Sequence, residues 1–177
     1  MDRLNASGFK WSVLIALANI VHLPCLFFYF FMDDFWHLNS IASGESFFRI
    51  WQQTRADMVY YWNMTEQLLP SLADHQRLLY YFRPVLNLSM QIDYLLFGFS
   101  PLGFHVHSLL IHIASTYLLY TLLRRFRISQ AASGIGAIIF SIHPWAVEPV
   151  DWISSRCDLL LVFFILLAMH FYLNRQN

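Results

Sequence analysis

The sequence predicts an all-α fold: a polytopic transmembrane helix bundle with about four spans and a large outer loop carrying interfacial amphipathic helices. Three observations predict it. Of 177 residues, 58% are hydrophobic and only 12% are charged, about half the charged share of a soluble domain. Phenylalanine alone occurs 17 times. Long apolar runs follow one another, separated by short gaps in which the charged groups gather. Residues 1–177 are expected to form a single membrane domain.

The first span is expected at Trp11–Met32, 22 residues carrying Asn19, His22 and Pro24. That is longer than the roughly 7–15 apolar residues of a signal peptide, and Asp33-Asp34 follows it instead of a small-x-small cleavage site. It therefore reads as a retained membrane helix. The outer loop 33–102 comes next. It contains GESFFRIWQQTRADMVYYWNM and then RPVLNLSMQIDYLLFG. In the second segment Val85, Leu88, Ile92, Leu95 and Phe99 recur at steps of three or four, with Asn87, Gln91 and Asp93 between them. This spacing predicts an amphipathic helix in the membrane interface. Pro84 suits its first turn, and Gly98, Ser100-Pro101 and Gly103 would end it and turn the chain into the next span.

The second span is expected at about Gly103–Leu123, the third at about Ala131–Val147 and the fourth at about Leu159–Leu173. The last two are short for a hydrocarbon core of roughly 30 Å, so their ends are expected to extend into the interface or the bilayer to thin locally. Arg3 and Lys10 precede the first span, Arg124, Arg125 and Arg127 separate the second from the third, and Arg175 follows the fourth. These residues share one face if four spans cross, and that face is cytoplasmic by the positive-inside rule. Both termini are then cytoplasmic. The Asp33–Leu102 loop and a smaller loop at about Glu148–Asp158 face the outside, the periplasm or the endoplasmic reticulum lumen. Membrane lipid is an expected partner. The formal net charge is zero, and no basic run or basic–aromatic stripe points to nucleic acid. Cys25 and Cys157 lie far apart and read as small residues, not as a disulfide.

Two places gather groups able to do chemistry. Asp33-Asp34 stands at the end of an apolar span, where a basic residue is commoner. It is either a polar stop at the membrane edge or a carboxylate held at the mouth of a cavity, as a general base or a cation ligand. The run SIHPWAVEPVDWISSRCDLL places His143, Glu148, Asp151, Arg156 and Asp158 in one short gap. A solvated loop with an ion pair from Arg156 to one of these acids is the plain reading; recognition of an anionic head group by the planar Arg156 fork is the functional one. Arg156 and Asp158, two apart, would not face each other on a helix. His105, His107 and His112 share the second span. No acid or cysteine adjoins them, so contacts inside the bundle are expected there and no metal.

Several segments together resemble a known family. YYFRPVLNLSMQIDYLLFGFSPLGFHVHSLLIHIASTYLLY and IIFSIHPWAVEPVDWISSRCDLLLVFFILLA resemble stretches of the multispanning glycosyltransferases of the GT-C superfamily, in particular the tetratricopeptide-repeat-linked membrane O-mannosyltransferases and their bacterial relatives. FFMDDFWHL after the first span fits the same pattern. The resemblance runs from about Phe30 to Leu173. It implies transfer of a sugar from a polyprenyl-phosphate-type carrier to an acceptor hydroxyl on the outer or lumenal side. It implies Asp33 as the base, with Asp34 as the other candidate. Arg156 and Arg83 would supply positive charge to the phosphate, and Glu148, His143 and Asp158 would line the substrate site. The interfacial helix would shape the entrance for the carrier lipid. No cofactor is implied beyond the lipid-linked donor, with a divalent metal left open. The chain departs from the family at Trp145-Ala146, at EPV and at SRCD, which bears on the acceptor. Family members carry about twice as many spans, so the chain resembles an N-terminal half. A second membrane subunit or a C-terminal half would then complete it. The alternative reading is a non-catalytic membrane subunit or truncated remnant. A small transporter is a third, disfavoured because no acid lies deep in any expected span.

Overall fold

The computed structural model of the protein describes residues 2–43 and 83–175, all of them helical or connecting, with no strand among them. The loop segment GESFFRIWQQTRADMVYYWNM lies outside the described residues.

The chain enters through α1, Asp2–Ala18, and continues without a break as a 3₁₀ helix over Asn19–Phe27. Pro24 accounts for the change of winding, because it has no N–H to donate to the preceding turn. The Asn19 side-chain amide donates to the Ile15 carbonyl at 2.8 Å, at the junction. The tighter winding has two effects. It places Asn19, His22 and Cys25, three residues apart, in one row, and all three are buried. It also lengthens the segment. The apolar stretch Lys10–Phe27 has 18 residues, half of them 3₁₀, and reaches about 31 Å, where an α-helix of that length would stop at about 27 Å.

After Phe28 the chain turns at Met32, whose φ of 44° lies in the left-handed region, and begins α2, Asp33–Ala42. The next described helix is α3, Pro84–Phe97, with Pro84 in its first turn as expected. Gly98, at φ 59°, closes it, and α4 begins at Pro101 and runs to Arg125. Then come α5, Gln130–Ile142, a short α6, Val147–Asp151, and α7, Arg156–Asn174. Ser129 caps α5 by accepting from the Ala132 N–H at 3.3 Å.

Among the described residues, three segments are long and apolar enough to cross a membrane: Lys10–Phe27, Pro101–Arg125 and Ile153–Asn174. The expected third span is shorter than its apolar run. Its helix stops at Ile142 and not Val147, because the residue before Pro144 is driven out of the helical region; His143 has ψ 135°. At 13 residues α5 measures about 20 Å. The expected first span also ends early, at Phe27, while the second extends two residues beyond its expected bounds at each end and the fourth begins six residues before its expected start and ends one residue later.

The helix ends pair up. Arg125 on α4 donates to the Asn174 side-chain oxygen at 2.6 Å, so α4 and α7 finish together. At the other end Arg156 donates to Ser108 Oγ at 2.9 Å and to the Phe104 carbonyl at 2.7 Å, so they also start together and run parallel. α5 returns alongside α1: Ile15 and Ala137 share a core with Tyr120, and the Ser141 carbonyl meets His22 at 2.7 Å. The start of α1 and the end of α7 therefore lie at one end, with Arg124, Arg125 and Arg175. The Asp33 turn and the α5–α7 connection lie at the other.

Small residues set the α1–α5 contact. Ser133, Gly134 and Ala137 are buried, and a Cβ added at Gly134 would come within 2.0 Å of the Trp11 ring. Gly134→Ala is therefore expected to force the helices apart and destabilise the protein by about 1–3 kcal/mol. Thermal unfolding in detergent measures this, with Gly136→Ala, whose Cβ meets only Leu123 at 3.3 Å, as the milder comparison.

α3 has the expected stripe, and it faces outward, as an interfacial helix requires. Val85, Leu88, Ile92, Leu95 and Phe99 are all exposed, Leu95 at 82%, while Asn87, Ser89 and Asp93 are buried. Outward apolar and inward polar faces suit a helix whose surroundings are lipid. The inward face is held by Arg156.

Candidate functional site

The site assembles where the first span, α2, α3 and the start of α7 meet. Its floor is a core of Phe30, Leu38, Leu86, Met90, Phe104 and Ile153. Asp34 sits above this floor, 1% exposed. One carboxylate oxygen accepts from the Ser154 N–H at 2.8 Å and from the Ser154 hydroxyl; the other accepts from the Phe31 N–H at 3.0 Å. The Trp152 indole N–H donates to the Phe31 carbonyl at 3.3 Å beside it. The DD motif and the WISSRCD run, 120 residues apart, are thus tied by direct hydrogen bonds. Burial pushes the Asp34 carboxyl above its ordinary range, against the bonds from Ser154 and Phe31 and the Arg156 charge.

Asp33 is the first residue of α2 and is exposed, next to this clamped neighbour. Its carboxylate stands at a helix N-terminus, where the backbone dipoles favour negative charge. The two acids therefore have different environments: one is saturated and internal, the other open.

Arg156 is 0% exposed. Besides Ser108 and Phe104 it donates to Ser89 Oγ at 3.3 Å and forms an ion pair with Asp93. The Asp93 carboxylate also meets His107 Nδ1 at 2.5 Å. The partner of Arg156 is thus an acid on α3, not one of the acids in its own loop. The expected contact with a lipid phosphate is not open to it in this arrangement, because the guanidinium is committed to protein groups. Asp93, Ser89, Ser108 and His107 were not among the expected site residues. Asp93 had a signal in the sequence, as the one charged residue of α3.

Arg83 lies at the N-terminal boundary of α3, half-buried. It is close enough to His37 on α2 for its charge to act there. Burial first, and Arg83 second, lower the His37 imidazole to about 4. The unfolded chain takes up this proton near 6.5, so His37 contributes stability above about pH 6.5 that is lost as the pH falls toward 4. The expected result is a thermal midpoint that drops between pH 7 and pH 5, with a shallower slope in His37→Gln; midpoints measured across that range check it.

The remaining expected residues lie apart from Asp34 and Arg156. Glu148 is exposed and accepts from Ser155 Oγ at 3.3 Å. His143 and Asp158 are exposed and line a separate pocket with His112. Arg156 and Asp158 do point different ways, as their spacing requires. His105, also buried, has neither ring nitrogen hydrogen-bonded and stacks edge-on to Phe28, with centroids 6.4 Å apart. Among the described residues no three His, Cys, Asp or Glu side chains converge to hold a metal ion.

A human protein O-mannosyl-transferase is 33% identical over 101 residues, covering 49% of this chain and 14% of that protein. One from Caenorhabditis elegans is 30% identical over 166 residues, covering 89% of this chain and 22% of that protein. The chain is similar to the protein O-mannosyl-transferases. A Drosophila melanogaster protein O-mannosyl-transferase agrees, at 32% identity over 98 residues, 53% of this chain and 11% of its own length. The chain thus spans less than a quarter of the length of these protein O-mannosyl-transferases, the relatives its sequence resembles. No family model and no solved structure matches it.

Proposed function

We propose that this chain supplies the acceptor-activating part of a glycosyltransferase that moves a sugar from a polyprenyl-phosphate-type lipid to an acceptor hydroxyl. The observation that carries the proposal is the hydrogen bonding of Asp34 to Ser154. It brings two of the three resembling segments into one site and leaves Asp33 open beside them. Asp33 is the general base. It accepts the hydroxyl proton as the acceptor oxygen attacks the anomeric carbon and the phosphate leaves. Asp34 is a positioning residue: it holds the turn that presents Asp33.

Arg83, at the same end, is the cation offered to the phosphate. Arg156 acts through its partners, joining α3, α4 and α7 beneath the site. Glu148 borders the approach from the α5–α7 connection, while His143 and Asp158 stand on a separate pocket and take no part in the transfer. The apolar outer stripe of α3 faces the lipid from which the carrier enters. Arg124, Arg125, Arg127 and Arg175 follow helices that end at the opposite end of the bundle. This supports a cytoplasmic placement for that end and an outer or lumenal one for the site.

The test is sugar transfer from a synthetic polyprenyl-phosphate mannose by membranes containing the protein with whatever completes it. Loss of transfer in Asp33→Asn with normal membrane insertion supports the proposal. Undiminished transfer in both Asp33→Asn and Asp34→Asn overturns the base. Absence of turnover in the unaltered protein favours a non-catalytic subunit.

A further inference from the structure

A second site lies on another face of α7, away from Asp34 and Arg156. It is a pocket of about 360 Å³ between α4, α5 and α7. That volume falls at the small end of ordinary ligand sites. Phe140, Leu159 and Val162, buried or half-buried, give it apolar walls. His143, Trp145 and Asp158 also line it and are all exposed, so they stand at its mouth, open to a ligand.

The mouth is built where α5 ends and α7 begins. α5 stops at Ile142, and Pro144–Ala146 forms a 3₁₀ turn. The Trp145 N–H donates to His143 Nδ1 at 3.2 Å, which fixes the start of that turn. The Trp145 side chain is left 85% exposed. Asp158 belongs to the first turn of α7 and precedes Leu159 of the wall. Its carboxylate accepts from the Cys157 thiol at 3.7 Å, a weak donor that leaves most of its acceptor capacity. It is the one acid among the described lining residues, and none of those is Arg or Lys. Glu148, exposed and next to Pro149 of the lining, adds negative charge nearby. The mouth therefore favours a cation, and the walls favour hydrocarbon. The exposed indole favours the same cation, through the negative face of its ring. Both groups lie at the outer end of the bundle, and Trp side chains gather at the boundary between membrane and water. An ammonium held there keeps part of its hydration and avoids the cost of full burial.

We propose that this pocket binds a long-chain primary amine from the membrane. Its chain lies against Phe140, Leu159 and Val162, and its ammonium stays at the mouth, donating to the Asp158 carboxylate beside the Trp145 ring. The site is independent of the transfer reaction proposed above.

The experiment uses the full chain in phosphatidylcholine nanodiscs and two photoreactive probes, a diazirine-bearing dodecylamine and the matching diazirine-bearing dodecanol. Labelled peptides are read by mass spectrometry. Each probe's labelling of the Phe140 and Val162 segments is divided by its labelling of Leu95-Leu96, exposed on the outer face of α3. This ratio removes the different partition of the two probes into lipid. The ratio for the amine is expected to stand roughly two- to ten-fold above that for the alcohol, the combined worth of an exposed ion pair and a cation–π contact. Asp158→Asn, at an exposed position that folding tolerates, is expected to remove most of that excess. Equal ratios in the unaltered protein overturn the proposal, and this comparison needs no variant to fold. An excess undiminished in Asp158→Asn also overturns it.

Discussion

Arg156→Met is expected to destabilise the protein by about 3–5 kcal/mol, the cost of leaving a buried charge without its partner. Asp93 is 1% exposed and would keep only His107 as an ionic neighbour. Ser89, Ser108 and the Phe104 carbonyl would each lose a donor as well. The loss should fall on the whole bundle, because these groups belong to α3, α4 and α7. Adding Asp93→Leu should recover most of it, since replacing both members of a buried ion pair is far less costly than removing one. Reversible unfolding in mixed micelles, run on both single variants and the double variant, gives the coupling directly. Equal stability of Arg156→Met and the unaltered protein would show that the pair does not hold the helices together.

Asp33→Asn is expected to lower the rate of sugar transfer by about 10²–10⁴-fold, the range a positioned general base supplies. Its side chain is exposed, so stability should stay within about 0.5 kcal/mol. Asp34→Asn should behave differently. The amide oxygen can still accept from Ser154, but the amide nitrogen would face the Phe31 N–H, donor against donor. That leaves a buried N–H unsatisfied, at about 1–3 kcal/mol. Its effect on transfer should therefore come with a lower thermal midpoint, whereas that of Asp33→Asn should not. Rates and midpoints measured on the same preparations separate a base from a positioning residue.

The helical membrane class was legible because it rests on composition and on runs of apolar residues, which are local. The start of α3 at Pro84 was legible for the same reason, since proline fixes the first turn wherever it stands. The stripe on α3 was legible as a period, and its direction followed only from reading the helix as interfacial. A sequence shows that Val85, Leu88, Ile92 and Leu95 share a face, and the period is the same whether that face meets a core or lipid. The end of α5 was misplaced because the apolar run continues through Trp145 to Val147 while the backbone is already broken at His143. The site was legible as separate segments only. Nothing local pairs Asp34 with Ser154, or Arg156 with Asp93 across 63 residues; these are products of tertiary packing.

The pairing across 63 residues also bears on how the protein is made. At about 5–20 residues per second, a ribosome completes α3 roughly 3–12 s before Arg156 is even synthesised. Through that interval Asp93 has no cation from α7, and the inward face of α3 cannot settle against its final neighbours. The helix must wait at the water boundary, where an unpaired carboxylate stays hydrated. Arrival of α7 then draws it in. The order of codons thus writes a schedule into the molecule: a later helix locks an earlier one in place.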